Sequence, residues 1–170
     1  MKSKLLIAVL LLAACQPAKE ENKPESTVAK ATSPPAAPGF GQISSAVPAD
    51  TITVYKSPTC GCCRKWIEHL ESNGFAVKAI DRDDMASIKT EQGVAPALQS
   101  CHTGTIAGYT IEGHVPASDI RRLLAERPKI AGLAVPGMPM GSPGMEGPTS
   151  QPFQVTSFTK KGATATFAQH

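Results

Sequence analysis

Apolar positions from residue 51 onward follow two alternating spacings along the chain. Residues 51–55 are mostly β-branched, which predicts a strand, and after a turn at Ser57-Pro58 the apolar positions take helical spacing at Cys63, Trp66, Ile67 and Leu70. The same patterns predict further strands over 75–80, after Pro96 and over 109–112, and further helices between Asp84 and Gly93 and over 118–127. The predicted order is therefore β-α-β-α-β-β-α.

The last third of the chain has a different composition. Residues 136–145 are too rich in Gly and Pro for regular structure, and the two strand-like segments that follow, 153–159 and 163–168, flank a turn at Lys161-Gly162. We therefore predict an α/β fold: a mixed β-sheet flanked by helices, with a Met/Gly/Pro-rich loop and a C-terminal β-hairpin.

The first residues have the pattern of a secretion signal. Lys2 and Lys4 precede the apolar run 5–14, which as a helix would be only ~15 Å long and is typical of a signal peptide. The run ends in Leu12-Ala13-Ala14-Cys15, which resembles the lipobox of bacterial lipoproteins. The resemblance implies that residues 1–14 are removed, that Cys15 is lipidated, and, because Gln16 rather than Asp follows, that the protein is a periplasmic lipoprotein of the outer membrane. The alternative is an ordinary soluble signal peptide.

Residues 15–50 are predicted to be a disordered tether. After Cys15 the segment is rich in Pro, Ala, Ser and Glu and has almost no large apolar side chains, so it cannot bury enough surface to offset the entropy of ordering. This leaves residues 51–170 as one folded domain.

Charge and hydropathy exclude two classes of protein. The chain has 17 Lys+Arg against 14 Asp+Glu, and loss of Lys2 and Lys4 with the signal would leave 15 against 14. This balance lacks the clustered cations of a nucleic-acid-binding surface, so no nucleic-acid partner is expected. No apolar stretch reaches the ~20 residues of a membrane span, which argues against a polytopic membrane protein. The remaining acidic and basic residues are predicted to be solvated.

The cysteines carry the candidate chemistry. Cys60 and Cys63 have C-x-x-C spacing at the predicted start of a helix, where the helix dipole favours thiolate. Pro96 is placed like the cis-proline that faces this motif in thioredoxin-like folds. One candidate function is therefore a thiol–disulfide oxidoreductase in which Cys60 is the nucleophile and Cys63 resolves the mixed disulfide.

A third thiol, Cys62, favours a metal site instead. Soft sulfur ligands select Cu(I), zinc or iron–sulfur clusters. Zinc sites prefer paired cysteine motifs, and the spacing of an iron–sulfur site is absent. With Cys101 as a fourth ligand, four thiolates would carry a charge of −4, which several Cu(I) ions would balance better than one. We therefore predict copper bound at Cys60, Cys62, Cys63 and Cys101.

Methionine and histidine side chains offer further candidate donors. The Gly/Pro loop carries Met138, Met140 and Met145, which either bind the metal through their thioethers or pack onto the sheet. His114, in another loop, is a candidate ligand through its imidazole. His102 follows Cys101, although strand alternation would send it to the opposite face. His69 lies two helical turns, ~10 Å, from Cys62 and is expected to be a solvated surface histidine.

Four segments together resemble one known family: SPTCGCC at 57–63, VAPALQSCHT at 94–103, GHVP at 113–116 and PGMPMGSPGME at 136–146. They are similar to the CopG-type copper-resistance proteins, and the likeness extends over residues 51–170. It implies a thioredoxin-like core, copper bound at the Cys-Gly-Cys-Cys motif, and a role in periplasmic copper handling with other copper-handling proteins as partners. The function implied is sequestration, transfer or Cu(I)/Cu(II) conversion, which leaves open whether the protein is an enzyme.

Overall fold

The computed structural model describes residues 51–170. The predicted signal peptide, lipidated Cys15 and tether lie outside these residues. The described elements, in chain order, are β1 (Thr51–Lys56), α1 (Gly61–Ser72), β2 (Ala76–Asp81), α2 (Met85–Glu91), a 3₁₀ helix (Pro96–Leu98), β3 (His102–Ile106), β4 (Tyr109–Glu112), α3 (Ala117–Glu126), β5 (Gly132–Ala134), β6 (Gln154–Phe158) and β7 (Thr164–Gln169).

The seven strands form one mixed sheet in the order β2-β1-β3-β4-β5-β6-β7. The pairs β1–β2 and β4–β5 are parallel, because α1 and α3 carry the chain back between their strands, and the other pairs are antiparallel. The predicted α/β, thioredoxin-like fold with a C-terminal hairpin is confirmed. Among the helices of residues 51–170, none has the length and apolar character that a membrane span requires.

The core lies where α1 and α3 pack their apolar stripes on the sheet. Trp66 and Leu70 of α1 and Ile120 and Leu123 of α3 are fully buried. They join one cluster with side chains of the central strands, among them Ile52, Val54, Ile111 and Leu133. Because this burial fixes α1 against β1, the N-terminus of α1 has a defined place beside the end of that strand.

Local signals set the helix ends. Cys60 is the N-cap of α1, and its Sγ accepts a hydrogen bond from the Cys63 amide at 3.3 Å. Asp84 caps α2 in the usual way, through its carboxylate and the Ser87 amide at 3.0 Å. The sulfur of Cys60 therefore has two roles: it caps the first turn of α1, and it belongs to the group of thiols at that helix end.

Two features differ from the sequence predictions. Strand β5 was not predicted, because three residues are too few to show an alternation and all three are buried. The prediction of a cis peptide before Pro96 is wrong: no peptide bond within residues 51–170 is cis, and Pro96 instead begins the 3₁₀ helix, where its fixed φ fits the first helical position. The residue that faces the start of α1 is Cys101.

Candidate metal centre

Four cysteine sulfurs meet at the N-terminus of α1. The cap and first turn of the helix carry Cys60, Cys62 and Cys63, and Cys101 is the residue that precedes β3. The four Sγ atoms all lie within 4.8 Å of one another. Cys62 Sγ is 3.5 Å from Cys60 Sγ and 3.6 Å from Cys101 Sγ, and Cys63 Sγ is also 3.6 Å from Cys101 Sγ. The sequence-predicted cysteine set is therefore brought together in space.

Two of these sulfurs are bonded to each other. Cys60 and Cys63 form a disulfide, whereas Cys62 and Cys101 are free thiols. The disulfide joins the C-x-x-C pair that the sequence singles out, so the cluster in this state has two sulfurs in a bond and two available as thiol ligands.

The Cys101 thiol is held in its protonated form. Burial, followed by the neighbouring Cys62 sulfur, raises the pKa of Cys101 to about 12. Removal of water disfavours the charged thiolate, and a second sulfur beside it disfavours a negative charge further. A metal ion bound here would have to displace this proton.

His114 presents one ring nitrogen to the cysteine cluster. Its Nδ1 donates a hydrogen bond to the Pro143 carbonyl at 2.8 Å, which leaves the lone pair of Nε2 facing Cys101 Sγ at 3.2 Å. Burial lowers the pKa of His114, because the charged imidazolium would lose its solvation. A neutral imidazole whose other nitrogen is fixed by a carbonyl is the usual arrangement of a metal-binding histidine.

His102 also lies beside Cys101, on the same side rather than the opposite one. Its Nδ1 is 3.3 Å from Cys101 Sγ, and its ring packs 4.3 Å from the Trp66 ring between centroids. Strand alternation does not separate the two residues, because Cys101 precedes β3 and only His102 belongs to it. Burial, then His114 and Lys89, hold the pKa of His102 well below its ordinary value. Cys101, His102 and His114 thus form a second group of adjacent donors.

The three methionines of the loop divide into two kinds. Met140 and Met145 line an open cleft of about 640 Å³ that also contains Cys62. Met138 is 53% exposed and does not line that cleft. The structure therefore places two of the three predicted thioethers at the mouth of the cysteine cluster, and ligation by any of them stays a prediction.

The Met/Gly/Pro-rich loop, residues 136–145 and called the Met loop from here on, is held against the first turns of α1. A Cβ on Gly144, whose φ is +85°, would lie 2.8 Å from the Cys62 carbonyl oxygen and 2.8 Å from the Trp66 nitrogen. The Gly144 amide donates to Glu146 Oε1 at 2.7 Å, and this bond lowers the pKa of Glu146. Only glycine allows the loop to approach the helix backbone so closely.

Three polar residues have roles that the sequence did not indicate. His69 is half-buried and accepts a hydrogen bond from the Ala117 amide at 3.1 Å, so it is not the solvated histidine that was expected. Lys89 and Glu112 are buried, although they were predicted to be solvated with the other charges. No local pattern marks them, because their burial follows from the packing of α2 on the sheet.

Comparison with solved structures decides the family. Two structures of the copper resistance protein CopG, forms 2 and 1, share 47% sequence identity with this chain, with TM-scores of 0.68 and 0.67. The matches cover 71% of this chain and 97% and 96% of the CopG chains. The chain belongs to the CopG family.

Other comparisons are consistent with CopG membership. A family model described as a protein of unknown function, DUF411, matches residues 98–145, the segment from the end of the 3₁₀ helix to Met145. No curated protein matches the sequence. Membership of the CopG family and a cysteine cluster able to bind metal together support a copper-related function.

Replacing Gly144 by alanine tests whether the loop of this CopG protein depends on its close approach to α1. The matched control is Gly137→Ala, because Gly137 also has a positive φ (+68°) but has no atom within 4 Å of the added Cβ. Both variants carry the ~1–2 kcal/mol cost of a left-handed alanine. Gly144→Ala should lose about 2 kcal/mol more in urea unfolding because of overpacking, with faster amide hydrogen exchange over 142–146. Equal losses would show that the loop is not held by this contact.

Proposed function

We propose that this protein binds Cu(I) through Cys60, Cys62, Cys63 and Cys101 and serves in copper resistance or homeostasis. The observation that carries the proposal is the convergence of these four Sγ atoms within 4.8 Å of one another. Two solved relatives are named as copper resistance proteins, which supports the assignment of copper as the cargo.

The donor set favours Cu(I) over harder ions. Thiolates and thioethers are soft ligands, and the cleft beside Cys62 adds Met140 and Met145 to the cysteine sulfurs. Neutral imidazoles at His102 and His114 supply nitrogen donors that copper also accepts. Carboxylates, which harder cations prefer, are not among the two donor groups found within residues 51–170.

Charge balance favours more than one copper ion. Four thiolates would carry a charge of −4 in a partly buried site, where ionised groups are poorly solvated. One Cu(I) would leave −3, whereas several Cu(I) ions bridged by the thiolates would neutralise most of the charge. We therefore propose a polynuclear cluster rather than a single ion.

The disulfide supplies a redox step that matches copper in electron count. Converting the Cys60–Cys63 disulfide into two thiolates takes two electrons, and oxidising two Cu(I) to two Cu(II) releases two. The site could thus convert copper between oxidation states, as well as sequester it or transfer it to another copper-handling protein. In each case, Cys60 and Cys63 become ligands only after the disulfide is reduced.

We further propose that the protein works in the periplasm on a lipid anchor at Cys15, a part of the assignment that depends on residues outside 51–170. The support is the sequence Leu12-Ala13-Ala14-Cys15 at the end of the apolar run, together with Gln16, which points to the outer membrane.

The rival function is thiol–disulfide exchange with protein partners. The observation in its favour is the Cys60–Cys63 disulfide at the start of α1. Against it, Cys62 Sγ lies 3.5 Å from Cys60 Sγ and Cys101 Sγ lies 3.6 Å from Cys63 Sγ, so both free thiols would compete with any partner for a mixed disulfide.

Anaerobic titration of the reduced protein with Cu(I) tests the copper proposal. We expect more than one copper ion per chain, and X-ray absorption should show sulfur ligands and short copper–copper distances. Cys101→Ser should bind fewer ions, because one bridging sulfur is lost. A stoichiometry fixed at one would contradict the polynuclear site, and a preference for zinc over Cu(I) would contradict the copper assignment.

Cys62→Ser and Cys63→Ser separate copper binding from thiol–disulfide exchange. If copper is the cargo, both variants should lose bound Cu(I) and copper tolerance in cells, since each removes one of the clustered sulfurs. If the protein is an oxidoreductase, Cys62→Ser should keep insulin disulfide reduction while Cys63→Ser abolishes it. Retention of copper by both variants would argue against the cysteine site.

Cys15→Ser tests the lipid anchor. In cells given a labelled fatty acid, the wild-type protein should take up the label and sediment with outer membranes, because the modified thiol belongs to Cys15. The variant should lose both properties, whereas the control Cys62→Ser should keep them. A labelled Cys15→Ser variant would disprove the assignment.

A further inference from the structure

A buried ion pair lies behind the cysteine cluster. Lys89 of α2 and Glu112 at the end of β4 meet with Nζ and Oε1 2.5 Å apart, and their side chains are 6% and 0% exposed. Such a pair contributes little to stability relative to apolar side chains of the same size, because both charges must be taken out of water. Its contacts therefore point to another role.

Both carboxylate oxygens of Glu112 hold the segment that carries Cys101. Oε1 accepts the Ser100 amide at 2.7 Å, and Oε2 accepts the Thr103 hydroxyl at 2.7 Å. Lys89 Nζ donates to the same Thr103 oxygen at 3.1 Å. Glu112 therefore fixes the chain on either side of Cys101 and His102.

The backbone around Glu112 ties the other donors to the same point. Its carbonyl accepts the Val135 amide at 2.9 Å, and the next residue, Gly113, donates its amide to the His102 carbonyl at 3.0 Å. Gly113 has a φ of +71°, and a Cβ there would lie 2.5 Å from Ser100 Cβ. The chain reaches His114 directly after this contact.

Ser100 extends the network to the Met loop. Its hydroxyl donates to the Gly137 carbonyl, and the Gly137 amide donates to the Gln99 carbonyl at 3.1 Å. The Glu112 carboxylate and its hydrogen-bonded neighbours thus connect three segments that carry candidate donors. These segments contain Cys101, His114 and the Met loop.

We propose that Lys89 and Glu112 are positioning residues for the copper site, which hold Cys101 and His114 at the spacing that the metal requires. The inference rests on the proposed Cu(I) function. Neither residue touches the sulfurs in the contacts described; Glu112 acts through the Ser100 amide and the Thr103 hydroxyl, and Lys89 acts through Glu112. Outer-shell hydrogen bonds of this kind commonly govern metal affinity.

A pair of double variants tests the role of these hydrogen bonds. Lys89→Met/Glu112→Leu removes both charges together and leaves the Ser100 amide without its acceptor, so Cu(I) affinity should fall at least about tenfold. Lys89→Met/Glu112→Gln also removes the charges but keeps an acceptor oxygen, so it should restore most of the affinity. X-ray absorption should show fewer copper–sulfur contacts in the first variant alone.

A remote control separates positioning from loss of stability. Val155→Ala cuts into the core on β6, away from the network, and should lower the urea midpoint without changing Cu(I) affinity. Wild-type affinity in the Leu variant would overturn the proposal. If that variant does not fold, Thr103→Val removes one hydroxyl from the network at nearly constant shape, and an unchanged affinity there would overturn the proposal instead.

A metal-free measurement keeps this inference separate from the copper function. With the Cys60–Cys63 disulfide intact, alkylation of Cys101 by iodoacetamide, followed by peptide mass spectrometry, should be at least about tenfold faster in the Leu variant than in the wild type. If the wild type binds no Cu(I), the proposed function fails, while faster alkylation still supports positioning of Cys101. An unchanged alkylation rate would overturn the positioning role itself.

Discussion

The antiparallel register of β1 and β3 brings the two halves of the cysteine cluster together. Lys56, the last residue of β1, pairs with His102, the first residue of β3. The chain that leaves β1 toward Cys60 therefore runs beside the chain that enters β3 from Cys101. Because successive strand residues point to opposite faces, a slip of one residue would turn His102 away from Trp66 and shift Cys101 along the strand. The buried side chains that α1 and the central strands share in the core stabilise this register.

Burial prepares thiol and imidazole donors in the same neutral state by opposite effects on their pKa values. It raises the pKa of Cys101, whose charged form is the anion, and lowers the pKa values of His102 and His114, whose charged form is the cation. The metal-free site thus avoids several unpaired buried charges. A neutral imidazole could bind a metal ion without losing a proton, whereas each thiol would have to release one. The free-energy cost of deprotonation would therefore arise at the sulfurs.

The sequence predicted what depends on local pattern and missed what depends on distant packing. The strands before and after α1, the Asp84 cap and the C-terminal hairpin are encoded by neighbouring residues. Cys101 was grouped with the motif at 60–63 because it lies just beyond Pro96, in the segment expected to face the start of α1. Pro96 was assigned as a cis-proline by analogy with thioredoxin-like folds, but its peptide bond is trans and it begins the 3₁₀ helix. The burial of Lys89 and Glu112 arises only when α2 packs on the sheet, so their residue types alone indicated solvent.

The number of sulfurs is what distinguishes this site from a simple C-x-x-C redox centre. A two-cysteine centre needs one thiol to attack a partner and one to resolve the product, and further thiols within 3.6 Å give the oxidised pair internal partners for exchange. For a metal ion the same crowding is favourable, because each additional sulfur replaces a lost water ligand and can bridge to a second ion. Cys62 and Cys101 therefore weaken the site as an oxidoreductase and favour the proposed copper site, in which all four sulfurs would be available to the metal once the Cys60–Cys63 bond is reduced.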